Sequence, residues 1–114
     1  MVDGATGRAG PAGGSGTRDH GVGATATWDF TGRAVIVTGG SRGIGRGIAE
    51  AFLAAGAGVA VCGRSEPAPE ELPTAGGRRA LFVAADVRDA DQAAAMVVEA
   101  RDRLGGLDVL VNNA

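Results

Sequence analysis

Three elements that follow one another without a gap constrain this chain most: an apolar stretch, a glycine-rich turn and a helical pattern. Arg33-Ala-Val-Ile-Val-Thr38 is short, apolar and β-branched, the signature of a buried strand. It runs into Thr38-Gly39-Gly40-Ser41-Arg42-Gly43-Ile44-Gly45, after which Ile44, Ile48, Phe52 and Ala55 recur at helical spacing. Gly56 and Gly58 end the pattern, as glycine past a helix end commonly does. A helix N-terminus presents unpaired N–H groups and about half a positive charge. Glycines at G-x-x-x-G-x-G spacing between strand and helix therefore offer a pyrophosphate cradle. Gly39 permits the tight turn, Gly43 removes the side chain that would face the phosphates, and Gly45 lets the helix approach the strand. The competing reading is a strand-to-helix turn without a ligand.

The alternation continues down the chain. Val59-Ala-Val-Cys62 reads as a second strand. Residues 66–79 carry Pro67, Pro69, Pro73 and the Gly76-Gly77 pair, a connection with room only for a brief helical turn around Glu70-Glu71-Leu72. Ala80-Leu-Phe-Val-Ala-Ala85 is a third strand, closing on Asp86-Val87. Asp89 is placed to cap a helix, with Gln92 three positions on in a capping-box-like pair. That helix is expected to reach about Leu104 on a stripe of Ala93, Met96, Val97, Ala100 and Leu104, with Gly105-Gly106 as its stop. Leu107-Asp-Val-Leu-Val111 is a fourth strand, followed by Asn112-Asn113-Ala114. Strands alternating with helices over short links imply parallel strands and right-handed crossovers, an α/β doubly wound sheet. Residues 1–27 are mostly Gly, Ala, Thr, Ser and Arg without periodicity and are expected to be a disordered extension. His20, the only histidine, falls there as a solvated side chain.

Composition agrees with one small domain. The 114 residues are 45 % hydrophobic but only 4 % aromatic, so burial must come from Ala, Val, Ile and Leu. That mixture suits a parallel sheet covered on both faces. A net charge of −2 without a basic run excludes nucleic acid and anionic membrane as expected partners. The single cysteine, Cys62, permits no intramolecular disulfide and reads as a buried, inert thiol; no His/Cys cluster suggests a metal. No run approaches the roughly 18 apolar residues of a membrane span and no signal-peptide segment follows the start, so a cytoplasmic protein is expected.

The turn Thr38-Gly-Gly-Ser-Arg-Gly-Ile-Gly45 resembles the TGxxxGxG signature of short-chain dehydrogenases/reductases. Three further segments in order carry the same resemblance, which covers residues 28–114. Trp28-Asp-Phe-Thr-Gly-Arg33 is similar to the lead-in to the first strand, Asp86-Val87 to the pair after strand three, and Asn112-Asn113-Ala114 to an NNAG motif. The resemblance implies a Rossmann-type sheet with strand order 3-2-1-4 and an oxidoreductase that moves hydride between a nicotinamide cofactor and a carbonyl or alcohol. It assigns Gly39, Ser41, Arg42 and Ile44 to the pyrophosphate and adenosine side, and Asp86 and Val87 to the adenine. It sets Asn113 and Ala114 beside the ribose, and leaves Asn112 to brace the sheet.

Cofactor preference is read at the end of the second strand. Enzymes that prefer NAD usually place an acid there for the ribose hydroxyls. Here the segment is Cys62-Gly63-Arg64-Ser65, and Arg42 supplies a second guanidinium inside the turn. Two planar forks suit a 2′-phosphate, so NADP(H) is expected over NAD(H).

The family's hydride transfer uses a Ser, a Tyr and a Lys in a YxxxK arrangement, yet these 114 residues contain no Tyr and no Lys. No catalytic residue is therefore assigned, and the segment bearing them is expected after residue 114. Three identities stay open here: the cofactor half of an enzyme whose full length forms a homo-oligomer, a non-catalytic NADP-binding module, or an inactive truncated product. Strand 107–111 would also be an exposed apolar edge, so the isolated chain is expected to be poorly stable or to associate.

Overall fold

The computed structural model describes residues 3–7 and 28–113. His20 and Ala114 lie outside the described residues. Ala34–Thr38 (β2), Gly58–Gly63 (β3), Leu81–Ala84 (β6) and Val109–Asn112 (β7) form a parallel sheet in the order β6-β3-β2-β7. This is the doubly wound order expected from the sequence. Register is tight: Ala34 pairs with Gly58 and Thr38 with Cys62, while Val35 faces Val109 and Ala60 faces Leu81.

Helix α1 (Gly43–Ala54) and helix α2 (Ala90–Leu104) bury different sheet residues, because side chains alternate along a strand. Val35, Val37, Val59, Val61, Val109 and Val111 pack with Ala49 and Leu53 of α1. Ile36, Ala60, Cys62 and Val83 pack with Met96 and Ala100 of α2. With both faces apolar, β2 is buried along its whole length, which is why its sequence shows no polar alternation.

The buried stripe of α1 is not the one its large residues suggest. Gly45, Ala49 and Leu53 face the core, one position along from Ile44, Ile48 and Phe52. Small residues let the helix axis come near the strands, so the bulky ones are displaced to the flank. There Phe52 meets Phe30 edge-on, ring centroids 5.1 Å apart, and Ile44 is 63 % exposed in the first turn. Trp28, Phe30, Ile48, Ala51 and Phe52 line an apolar groove of about 590 Å³ on that flank.

Helix α2 starts as expected: the Asp89 carboxylate accepts from the N–H groups of Asp91 and Gln92. Gln92 departs from a capping box, however. Its Oε1 accepts from the N–H of Asp86 at 2.8 Å, while the Asp89 N–H donates to the Asp86 carbonyl. The connection after β3 holds a single 3₁₀ turn, Pro69–Glu71, as its prolines allow. Beyond it lies a small hairpin of Thr74–Ala75 (β4) and Arg78–Arg79 (β5), turned by Gly76-Gly77 with φ of 61° and 76°. A Gly-Gly pair with both φ positive is a hairpin signal that the reading of 66–79 as a plain connection passed over.

Composition places no element in residues 1–27, yet Asp3–Gly7 forms β1, antiparallel to β7. Thr6 pairs with Leu110 and Gly7 with Val109, with a register shift toward Asp3. Strand β7 therefore does not present the open edge expected above. Backbone N–H and C=O groups alone suffice for such pairing, so side-chain patterning carries no trace of it.

Candidate cofactor site

Strands β2, β3 and β6 all end at one side of the sheet, and in parallel α/β sheets the crevice outside those carboxyl ends is where ligands bind. A cavity of about 270 Å³ opens there, lined by Gly39, Cys62, Gly63, Arg64, Ala85, Asp86, Val87 and Arg88. It is smaller than the groove on α1, but it is the one with ionisable side chains in its wall. Four residues anticipated from sequence meet in it: Gly39, Arg64, Asp86 and Val87. The loop after β6 adds Arg88, which the sequence reading left out.

The turn beside the cavity is built around close backbone contacts. A Cβ on Gly45 would lie 2.2 Å from the Gly39 carbonyl oxygen and 2.5 Å from Nδ2 of Asn113, so only glycine fits. Gly43 poses the opposite case: with φ +57°, a Cβ there would meet no protein atom within 4 Å. The space in front of the helix is open on the side where a phosphate needs to approach. Arg42 occupies the N-cap position in an extended conformation, makes no side-chain cap, and no acidic residue stands in the first turn. Helix α1 thus keeps its positive end available, in contrast to the Asp89-capped α2.

The turn's outer side is pinned by Arg46. Its guanidinium pairs with Glu50 at 2.9 Å and donates to the carbonyls of Ser41 and Glu71, joining turn, helix and 3₁₀ segment. Ser41 is half-buried, whereas Arg42 is exposed and lies outside the cavity wall.

The inner side is tied to β7. The N–H of Asn113 donates to Thr38 Oγ1 at 2.8 Å, and Nδ2 of Asn113 reaches the Gly39 carbonyl at 3.5 Å. Asn112 accepts from the Thr38 hydroxyl at 3.2 Å, the bracing role foreseen for it. Thr38 is the hub of this corner, buried to 5 %, and composition alone gave it no part. At the other end of β2, Asp108 accepts from the Ala34 N–H at 2.9 Å, so its carboxylate serves the sheet.

Electrostatics single out Asp86. Arg88 holds its carboxyl down to about 2, by side-chain and then backbone hydrogen bonds, and Arg64 adds a weaker attraction. The Asp86 side chain is 27 % exposed, and it is ionised at every physiological pH. Burial pushes the Cys62 thiol up, which keeps it protonated and unreactive in the cavity wall. Among the described residues no group of His, Cys, Asp and Glu could hold a metal, and no helix is long and apolar enough to cross a membrane.

These motifs coincide with a family. The profile described as short chain dehydrogenase matches residues 33–114, which include the whole sheet from β2 to β7. The chain belongs to the short chain dehydrogenase family. It is 38 % identical over 86 residues to a 2,5-dichloro-2,5-cyclohexadiene-1,4-diol dehydrogenase of Sphingobium indicum, covering 75 % of this chain and 34 % of that protein. It is 44 % identical over 87 residues to an L-2,3-butanediol dehydrogenase of Corynebacterium glutamicum, with 72 % and 34 % covered. A crystal structure of a dehydrogenase/reductase from Sinorhizobium meliloti superposes with a TM-score of 0.63 at 36 % identity, over 75 % of this chain and 36 % of that one. The chain spans about a third of the length of the short chain dehydrogenases it matches. Membership in the family implies a nicotinamide dinucleotide cofactor.

Proposed function

We propose that residues 28–114 are the N-terminal, cofactor-binding part of an NADP(H)-dependent short chain dehydrogenase that interconverts a carbonyl and an alcohol. One observation carries the NADP preference: the wall of the cavity bears Arg64 where an NAD-preferring protein carries an acid. Arg42, at the N-cap of α1, is the second cation for a 2′-phosphate.

The residues present fit such a group. The open space before Gly43 and the uncapped end of α1 admit a pyrophosphate; Asp86 and Val87 border the base, and Asn113 stands next to the turn. When bound, the nicotinamide supplies or accepts hydride. This chain's part is to bind and orient: Gly43 and Gly45 set the approach distance, Arg46 and Thr38 hold the turn from either side, and Arg64 selects the phosphate. The Tyr and Lys of the family's proton transfer have no counterpart among these residues, so the proton-moving groups and the small-molecule substrate site are assigned to chain outside them. A cytoplasmic homo-oligomer completes the reading.

Fluorescence titration of the full chain with NADPH and NADH tests it. The expected result is NADPH binding at least about tenfold tighter, the scale of one charge-assisted hydrogen bond. Equal affinities would overturn the preference for NADP, and binding of neither would overturn the cofactor reading.

A further inference from the structure

Arg88 is an exposed arginine on a loop, a place where guanidinium groups are normally free in solvent. Here it is committed three times to a single carboxylate. Its Nε donates to Asp86 Oδ1 at 3.0 Å, its Nη2 to Oδ2 at 2.9 Å, and its backbone N–H to Oδ1 at 3.0 Å. The Asp86 main chain is fixed separately from α2, through Gln92 Oε1. An ionised carboxylate has about four acceptor sites on its two oxygens. Oδ1 has both of its sites used and Oδ2 one, which leaves a single acceptor site on Oδ2 of a residue in the cavity wall.

We infer that Arg88 is a positioning residue, which clamps Asp86 so that the one remaining acceptor of Oδ2 reads the edge of the bound base, selecting a purine with an exocyclic amino group over a 6-oxo purine. The inference rests on the dinucleotide reading given above. An amino group donates to that acceptor; a 6-oxo group sets oxygen against oxygen, and a carboxylate without a proton cannot adapt. The charged groups acting on Asp86 are Arg88 from its own loop and Arg64 from the end of β3, and both keep it ionised. Without Arg88 the carboxylate would be free to change rotamer and to take a proton at higher pH, and its demand for a donor would relax.

Calorimetric titration of the full chain with NADP⁺ and with its hypoxanthine analogue tests this, using wild type, Arg88→Met, Arg88→Lys and Asp86→Asn. The expected wild-type ratio is about tenfold or more in favour of adenine, the scale of a hydrogen bond to a charged group. Arg88→Met should bring the ratio within about threefold, Arg88→Lys should fall between, and Asp86→Asn, whose amide can both donate and accept, should abolish discrimination. In carbonyl-labelled protein the Asp86 titration should move up from about 2 toward the usual carboxylate range in Arg88→Met. The inference alone is overturned if wild type binds both nucleotides equally. It is equally overturned if Arg88→Met weakens both by one factor with the ratio kept, since Arg88 would then be only a positive charge on the rim. If wild type binds neither nucleotide, the cofactor reading falls and takes the inference with it.

Discussion

Thr38 and Asn113 meet where two neighbouring strands end, the N–H of Asn113 donating to the Thr38 hydroxyl oxygen at 2.8 Å. The same hydroxyl donates toward Asn112 Oδ1 and the Val111 carbonyl, so one side chain closes the corner between β2 and β7. Replacing it with the near-isosteric Val would leave the Asn113 N–H without its acceptor in a half-buried place. Thr38→Val should cost about 1–3 kcal/mol in urea unfolding, and Thr38→Ser should recover most of it. Because Asn113 also holds the Gly39 carbonyl, Thr38→Val should weaken cofactor binding as well.

Gly43 and Gly45 separate stability from binding. Gly45→Ala puts a methyl against the Gly39 carbonyl and the Asn113 amide, so α1 or the turn must move; a loss of about 1–3 kcal/mol or more is expected on thermal melting. Gly43→Ala meets no protein atom and carries only the strain of positive φ, about 1–2 kcal/mol. Its methyl would stand in the space proposed for phosphate, so its dinucleotide affinity should fall by more than its stability does. Equal proportional effects in the two variants would remove the phosphate from that space.

Most of the sheet was legible because its strands are buried on both faces. Val35 to Val37 and Val59 to Cys62 are uninterrupted apolar runs, and Asp89 announces α2 through a cap whose chemistry is local. The α1 face was misjudged because bulk was taken for burial, whereas closeness to the sheet favours Gly45 and Ala49 over Ile44 and Phe52. Strand β1 left no pattern, since its pairing uses backbone groups. Arg88 went unnoticed for a different reason: its clamp depends on a loop bringing residues 86 and 88 face to face, and spacing along the chain does not encode that. Asn112, Asp86 and Arg64 were legible only as members of a family motif.

Asp89→Ala should remove the acceptor for two N–H groups at the start of α2 and destabilise the fold by about 1 kcal/mol. Asp89→Asn keeps an oxygen at the same place and should be nearly neutral. Because the Asp89 N–H also donates to the Asp86 carbonyl, hydrogen exchange at Asp86 to Gln92 should report the loss directly. Unchanged exchange in that segment with a full drop in melting temperature would contradict the local origin of the effect.

Acid should act on Asp86 in a defined window. Its carboxyl is depressed in the folded chain, so the ionised form favours folding; that contribution is complete above the usual carboxylate range near 3.8 and is lost as pH falls toward about 2. Stability measured from pH 5 downward should therefore decline more steeply in wild type than in Asp86→Asn, with the difference confined below about pH 4. High salt should reduce the gap only in part, because hydrogen bonds from Arg88 come before simple attraction among its causes. A difference that persisted unchanged to neutral pH would place its origin elsewhere.

The two arginines proposed for the 2′-phosphate differ in position, and the difference is testable. Arg64 borders the cavity, whereas Arg42 is exposed at the N-cap of α1 and lies outside the wall. Arg64→Ala should weaken NADPH binding by about 10–100-fold, the scale of a hydrogen bond between charged groups, and leave NADH within about threefold. Arg42→Ala should cost less, and its effect should shrink with rising salt, as expected of a solvent-exposed charge. Arg64→Glu goes further: a carboxylate at the end of β3 repels the phosphate and can accept from ribose hydroxyls, so NADH should become the tighter ligand. Neither exposed side chain packs in the core, and melting temperatures should stay close to wild type. If Arg64→Ala lowered NADPH and NADH affinity alike, Arg64 would be binding a part common to both, and the preference for NADP would lose its main support.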